Sequence, residues 1–379
     1  MTGKVMERVV KEALTKYLED NALIVEEQHG FRAGRSPLTN LVEFNNVTTK
    51  WLDEGKPYEV LYLDFAKAFD VVPHDKLIKK LEAIGVRGTL LEWLKDWLSG
   101  RRQRVKVEEA FSEWVDVISS VVQGSVLGGT LFDVYINDIQ KCIIDALILL
   151  FTDDTKVAKV VKDLEDGRRM QILIDKLQQW SEMWGMRFYA NKCKIMHIGF
   201  NNPRCTYTMN GIQIPETKEE KDLGVWMEIS TKPGKQCATA AKSANFTLGQ
   251  IQRAFHYRTK KTLVPLYKLF VRPKLEFAVQ SWSPWQEGDK VLEKVQERMI
   301  RMLSDAQGAT YEEKLRSVNL TTLAERRERG DAIEALKTLN GINKVDKNKW
   351  FDTKQDGTRA TRRNTEVTEE GERRRVNML

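Results

Sequence analysis

The sequence predicts an α+β protein, with mixed helices and strands over residues 1–230 followed by an almost wholly helical stretch. Three observations carry this. Short apolar runs rich in β-branched and aromatic residues, EVLYLDF at 59–65 and ALILLF at 146–151, suit buried strands better than helices. Between them lie stretches with apolar residues three and four apart, the spacing of a helix with one buried face. From about residue 235 the strand signals stop and helical periodicity runs on.

Taken in order, residues 5–18 place Val5, Val9, Leu14, Tyr17 and Leu18 at helical spacing. A loop, QHGFRAGRS, follows at 28–36. Ser36-Pro37 then reads as an N-cap with proline at the first helical position, opening a helix that ends near Gly55. EVLYLDF is a strand that passes into a helix ending at Gly85, and 89–99 is a helix stopped by Gly100. RRQRVKV and WVDVISSVV read as strands. A helix fills 128–140, ALILLF–TDD–TKVAKVV is strand, tight turn, strand, and 163–184 is helical. RFYA, KIMHIGF and DLGVWM read as short strands, and TYTMNGIQI as a hairpin turning at Asn210-Gly211. Residues 343–379 are polar with almost no periodicity and are expected to form a poorly ordered charged tail.

Composition sets the broad class. Of 379 residues, 41% are hydrophobic and 30% charged, as in a soluble globular protein with a large core. Lys and Arg exceed Asp and Glu by 61 to 54, a +7 excess compatible with a nucleic-acid partner without requiring one. Cys142, Cys193, Cys205 and Cys237 are too scattered for a zinc spacing or a disulfide frame, so free thiols in a reducing intracellular compartment are expected, with no signal that chooses nucleus or cytoplasm. The N-terminus lacks the uncharged apolar core of a secretory signal. The longest apolar stretch, 142–151, is interrupted by Asp145 and too short to span a bilayer, so no membrane partner is expected.

Two acidic features bear chemistry. Asp64 ends an apolar strand, and Asp153-Asp154 sits at the tip of an apolar hairpin. A buried strand holds a terminal carboxylate rigidly. Adjacent acids can approach one site only in a turn, because on a straight strand they point to opposite faces. If the strands are neighbours, three carboxylates converge, and their mutual repulsion calls for cations. Hard divalent ions prefer such oxygen ligands, and a pair of them suits phosphoryl transfer. The pair also reads as an ordinary turn-former, so the acids alone leave both readings open.

The order and wording of several segments are more specific. QHGFRAGRS, YLDFAKAFDVVPH, QGSVLG, YIND, FTDD, KCKIMHIG and DLGV, in this sequence order, resemble the successive motifs of reverse transcriptases from non-LTR retrotransposons, particularly jockey-type LINE elements. VRPKLEFAVQSWSPW and NLTTLAERRERGD resemble their thumb region, so the resemblance runs from about residue 25 to about 340. It implies a right-hand polymerase fold: fingers and palm with an antiparallel sheet over 1–230, a helical thumb or connection region over 231–342, and the tail beyond. It implies an RNA-directed DNA polymerase that adds dNTPs to a DNA primer on an RNA template, with Mg²⁺ or Mn²⁺ on Asp64, Asp153 and Asp154. Phe69 falls where the family places a gate against the ribose 2′-hydroxyl. Gln123 and Gly124 match a motif near the incoming base, Arg32 lies in the loop that meets phosphate, and Lys192 in the motif after the hairpin. Arg101, Arg102, Arg104 and Lys106 are further candidates for a phosphate backbone.

The sequence departs from the family pattern at Thr152, where alanine is usual, at Gly129-Thr130 in place of Pro-Leu, at Asp133 in a stretch usually apolar, and at Tyr189 in place of asparagine. Nothing resembling the family's endonuclease precedes the fingers, and ERRRVNML ends within what resembles a longer C-terminal region, so the chain is expected to be a fragment of a longer reading frame or a degraded copy, with an endonuclease domain elsewhere in the full element. The alternative function is an inactive or domesticated copy that only binds nucleic acid.

Overall fold

The computed structural model describes residues 2–122, 124–284 and 287–351. The chain divides into two compact units, one of residues 1–40 and 48–217, the other of 41–47 and 218–379. Gln123 and 352–379, most of the expected tail, lie outside the described residues.

The first unit opens with helix α1 (Thr2–Asp20) and helix α2 (Pro37–Asp53), whose middle residues belong to the second unit. On α1 the buried face is Val10, Leu14 and Leu18, whereas Val5 and Val9 are 65% and 58% exposed. The expected stripe was thus right only in its C-terminal half, because spacing alone does not say where along a helix the partner begins. The start of α2 is as read: Ser36 accepts from the Thr39 amide, the Thr39 hydroxyl accepts from the Ser36 amide, and Pro37 follows the cap.

Strand β1 (Tyr58–Leu63) comes next, then α3 (His74–Ala83) and α4 (Gly88–Leu98). The two segments expected as long strands form a narrow ribbon instead, with β2 (Arg102–Gln103), β3 (Lys106–Val107), β4 (Ala110–Phe111) and β5 (Val115–Asp116). Helix α5 (Gly128–Ile136) runs into a 3₁₀ turn at Asn137–Cys142. β6 (Leu147–Phe151), β7 (Asp154–Val160), α6 (Leu164–Trp184) and β8 (Lys194–Ile198) follow. RFYA is not a strand, contributing a single bridge between Phe188 and Phe65. The Asn210-Gly211 turn joins β9 (Thr208–Met209) to β10 (Ile212–Gln213), with both turn residues at positive φ.

β6, β7, β1 and β8 form an antiparallel sheet in that order. Leu61, Leu63, Ile148, Leu150, Val157 and Ile195 join the main core together with Leu77, Leu81, Leu131, Ile136, Ile174 and Leu177 from the helices. The other face is buried too, at Tyr58, Val60, Leu149, Ala158 and Met196. There Trp51 of α2 meets Tyr58 edge-on at 5.7 Å. Burial on both faces explains why these strands read as continuous apolar runs instead of alternating ones. The free edge of β6 is covered by the 27–29 segment. The Leu150 amide donates to the Glu27 carbonyl, and the His29 amide to Leu150's, each at 2.9 Å.

The second unit starts with the hairpin β11 (Glu219–Asp222) and β12 (Val225–Glu228), two strands where the sequence suggested one. They turn at Leu223 and Gly224, both at positive φ. Helices α7 (Gly234–Ala254), α8 (Lys260–Leu266), α9 (Arg272–Glu276), α10 (Glu287–Met302), α11 (Tyr311–Ser317), α12 (Leu323–Leu339) and α13 (Lys347–Trp350) follow, the last inside the segment expected as tail. Their core gathers Ala244, Leu248, Tyr267, Val271, Leu292, Val295 and Met299, with Leu41 of α2. No helix among the described residues is long and apolar enough to cross a membrane.

Candidate active site

The strand register brings the candidate acids to one edge. β1 and β7 pair antiparallel, with Leu63 opposite Thr155 as the last pair. Continuing that register by one residue sets Asp64 across from Asp154, with Asp153 one step further into the turn. Asp64 is held by its backbone, its carbonyl accepting the Tyr189 amide at 2.8 Å. Asp64 and Asp153 are partly exposed and Asp154 is exposed, so all three reach solvent at the end of a buried sheet.

The hairpin carries a strained residue. Thr152 has φ +57, a left-handed conformation that crowds a β-branched side chain. Two bonds hold it there. Its amide donates to Gln28 Oε1 at 2.9 Å, and its hydroxyl donates to Asp153 Oδ1 at 2.9 Å. Gln28, 1% exposed, also accepts the Gly30 amide at 2.8 Å, so one side-chain oxygen ties loop and hairpin together. The approach is close: a Cβ at Gly30 would lie 2.5 Å from the Thr152 nitrogen. Sequence reasoning missed Gln28. Its place at the head of QHGFRAGRS was the available signal, but nothing in that motif shows which strand the loop covers.

The other predicted residues fall around this edge in different states. Arg32 has its guanidinium engaged within the loop, with Glu19 Oε1 at 3.1 Å and the Val25 carbonyl at 2.7 Å. It is a brace for the loop as it stands, in place of the open phosphate ligand expected. Phe31 lies against α5, where a Cβ on Gly129 would meet its ring at 2.4 Å. That contact gives a physical reason for glycine where the family has proline. Phe69 is half-buried, its ring stacked on Phe132 at 4.3 Å. Gly124 is exposed at φ +75 with open space around it, and just beyond it the Val126 amide donates to Glu7 Oε2 at 2.6 Å. Lys192 is exposed, with its Nζ 5.1 Å from the centre of the Tyr189 ring. Asp133 is buried in α5, where burial pushes its carboxyl well above the usual range. Arg101 is not free for a phosphate, since it donates to the Leu98 and Ser120 carbonyls, each at 3.0 Å.

The donor set suits a hard cation, being carboxylate oxygen throughout. Among the described residues, however, no three acidic, His or Cys side chains are gathered into a cage for a metal. The three expected carboxylates stand at the ends of paired strands and in the turn between them, and their side chains do not close into a cluster. A site of this kind suits an ion that takes one or two carboxylates and completes its shell with substrate phosphates and water.

The family described as "Reverse transcriptase (RNA-dependent DNA polymerase)" matches residues 1–246. The RNA-directed DNA polymerase from mobile element jockey of Drosophila funebris is 26% identical over 330 residues, covering 83% of this chain and 36% of that protein. Its counterpart in Drosophila melanogaster is 27% identical over 294 residues, covering 74% and 32%. The chain therefore spans about a third of the length of these relatives. Among solved structures, apo telomerase from Candida tropicalis aligns with a TM-score of 0.47 at 13% identity, covering 79% of this chain and 50% of that one.

Proposed function

The chain belongs to the reverse transcriptase (RNA-dependent DNA polymerase) family, and from that membership we propose that it extends a DNA primer on an RNA template with dNTPs. The observation that supports the reading is the β1–β7 register, which ends at Leu63 opposite Thr155, so that Asp64 follows β1 where Asp154 begins β7 and Asp153 lies in the adjoining turn. The sheet and the helices packed on it are read as fingers and palm over 1–230, and the helical region over 231–342 as thumb or connection.

In the proposed reaction the primer 3′-hydroxyl attacks the α-phosphate of the dNTP in line, and pyrophosphate leaves. Asp64 and Asp153 are the principal holders of Mg²⁺ or Mn²⁺, with Asp154 more peripheral. When bound, the ion supplies positive charge to lower the pKa of the attacking hydroxyl and to neutralise phosphate oxygens. The chain's own groups orient the reactants. Phe69, fixed by its stack on Phe132, stands against the sugar and disfavours a 2′-hydroxyl. Gly124 lies by the incoming base, where the open space around it admits a close backbone approach. Arg32 acts through the loop it braces, and Lys192 donates a proton to the leaving pyrophosphate.

One observation favours a second reading, a copy that binds nucleic acid without extending it: among the described residues no three acidic, His or Cys side chains gather into a cage for a metal. Primer extension on poly(rA)–oligo(dT) with Mg²⁺ or Mn²⁺, wild type beside Asp153→Ala, decides between them. Extension by the wild type and none by the variant is expected. No extension from folded wild-type protein that still binds the duplex would establish the second reading.

A further inference from the structure

Helix α1 carries more than its buried face. Glu7, Lys11, Thr15 and Glu19 follow one another at i, i+4 spacing and form one ridge along the helix. The acids at the two ends of this ridge each hold a different loop. They stand about 18 Å apart along the axis, at about 1.5 Å per residue.

Glu7 is only 9% exposed, a rare state for a glutamate, and its Oε2 accepts the Val126 amide at 2.6 Å. That amide lies just ahead of α5, whose N-cap residue Leu127 has no side-chain oxygen to offer. The Gly128 amide is taken by Ser125 Oγ at 2.9 Å, so one local side chain and one from α1 together close the start of α5. A carboxylate there also faces the positive end of the helix, which strengthens its bond.

Glu19 takes the Arg32 guanidinium with both oxygens, Oε1 from Nε at 3.1 Å and Oε2 from Nη2 at 3.4 Å. The Arg32 Nη1 donates to the Val25 carbonyl at 2.7 Å, so the guanidinium is fixed on two sides. Burial pushes the Asp133 carboxyl of α5 up, and the charges of Arg32 and Lys11 pull against it. The middle of the ridge is therefore also within electrostatic reach of α5.

The two loops held by α1 flank the proposed site. Residues 124–126 lie where the incoming base is read to sit. The 28–36 loop leans on the hairpin and on α5, with Gly30 against Thr152 and Phe31 against Gly129.

We infer that Glu7 and Glu19 are positioning residues, and that α1 is a rigid brace which fixes the spacing of the 124–126 and 28–36 loops and so sets the affinity for the incoming dNTP. The inference rests on the reading of the chain as a polymerase and goes beyond it in giving α1 a part in nucleotide binding. Neither acid touches substrate. A helix suits the task because its hydrogen-bonded backbone keeps its two ends at a fixed distance, whereas loops left to themselves move independently. The two contacts differ in what they need. Glu7 needs only an acceptor oxygen, which glutamine also offers, whereas Glu19 needs its charge.

Steady-state primer extension by the full chain, with dNTP varied, gives KM and kcat for each variant. Glu7→Ala is expected to raise the dNTP KM about tenfold with little change in kcat, the loss of one charge-assisted bond. Glu7→Gln restores most of that affinity. Glu19→Gln is expected to raise KM about threefold, because its ion pair is partly open to solvent. Val10→Ala, on the buried face of α1, lowers the melting temperature and leaves KM unchanged.

Wild-type KM in both Glu7→Ala and Glu19→Gln overturns the proposal. So does an equal rise of KM in Val10→Ala, which would make α1 a structural element only. A lower KM in Glu19→Gln overturns it too, since Arg32 would then be a phosphate ligand that α1 holds back. Amide hydrogen exchange followed by mass spectrometry needs no catalysis and separates the two readings. Glu7→Ala is expected to speed exchange around 124–128, and Glu19→Gln around 28–36, with neither change in Val10→Ala. If the exchange responds in this way but the wild type extends nothing, the polymerase reading falls and the brace stands. If exchange is unchanged in both acid variants, the brace falls whatever the activity.

Discussion

Residues 58–63 and 102–107 both read as strands, yet in β1 every side chain but that of Tyr62 is buried and in the ribbon every one is exposed. The contrast extends to cation–aromatic contacts. Lys80 lies 3.7 Å from the Trp184 ring centre, 4.7 Å from Tyr135 and 5.3 Å from Trp180, with Asp138 Oδ1 at 2.6 Å, and only 7% of the residue is exposed. Arg104 makes similar contacts in water. The same local chemistry therefore serves two ends. Buried, it fixes the sheet and helices that carry the acids; exposed, it leaves rings and cations open to a partner. What separates the two is the surrounding volume of apolar side chains, since a strand buries its faces only where other elements cover both.

Changes that hollow out the buried side should cost most. Leu61→Ala removes a fully buried side chain at the centre of the sheet, and a loss of about 2–5 kcal/mol in urea unfolding is expected. A loss below about 1 kcal/mol would mean the sheet is less tightly packed than β1 suggests. Gln28→Leu comes next, because it leaves the Gly30 and Thr152 amides without their acceptor, at about 1–3 kcal/mol each. Its extension rate should fall further than that of a core variant matched for stability, since the hairpin itself loses its support. Equal rates in the matched pair would confine Gln28 to a structural role.

The buried lysine sharpens the comparison through pH. Desolvation, opposed by Asp138, pushes the Lys80 pKa down to about 8 from its ordinary 10.5. The folded state then binds this proton more weakly than the unfolded state, so stability rises as pH climbs from about 8 toward 10.5. Denaturation midpoints at pH 8 and pH 10 should show that rise in the wild type and lack it in Lys80→Met. A parallel pH response in the two proteins would remove Lys80 as its source. A smaller gain is expected at the hairpin. Thr152→Asn suits the left-handed φ better and should add up to about 1 kcal/mol of stability while releasing Asp153. Unchanged unfolding would show that the turn carries no strain. Smallest of all, Val105→Thr/Val107→Thr on the ribbon should move stability by no more than about 0.5 kcal/mol. A larger loss would show that the ribbon packs against something after all.

Much was legible in the sequence because it is a local matter. Ser36-Pro37 announces the start of α2, and Asn210-Gly211 announces its hairpin, because each residue type satisfies the backbone geometry of its own position. The strand–turn–strand of 146–161 and the acid at the end of 59–65 were readable as apolar runs closed by carboxylates. The ordered motifs from QHGFR to DLGV indicated the family. Less legible were features that depend on a distant neighbour. The RFYA segment has strand composition but makes only one bridge, at Phe188, because β8 already occupies the far edge of β1. DLGVWM became a hairpin of its own when Leu223 and Gly224 took positive φ.

The sequence by itself determined most of the helices and the strands of the main sheet, the two turns, the carboxylates and the family, since all of these are written in neighbouring residues. Only the tertiary structure decided that the strand ending before Asp64 pairs with the one Asp154 begins, that Gln28 holds the Thr152 turn, that Arg32 and Arg101 are spent on groups of the protein itself, and that the side chains of 102–116 lie exposed. The physical reason is that register, hydrogen-bond partners and burial are properties of pairs of segments far apart in the chain. A residue's own identity limits which partners it can take, and the packed fold chooses among them.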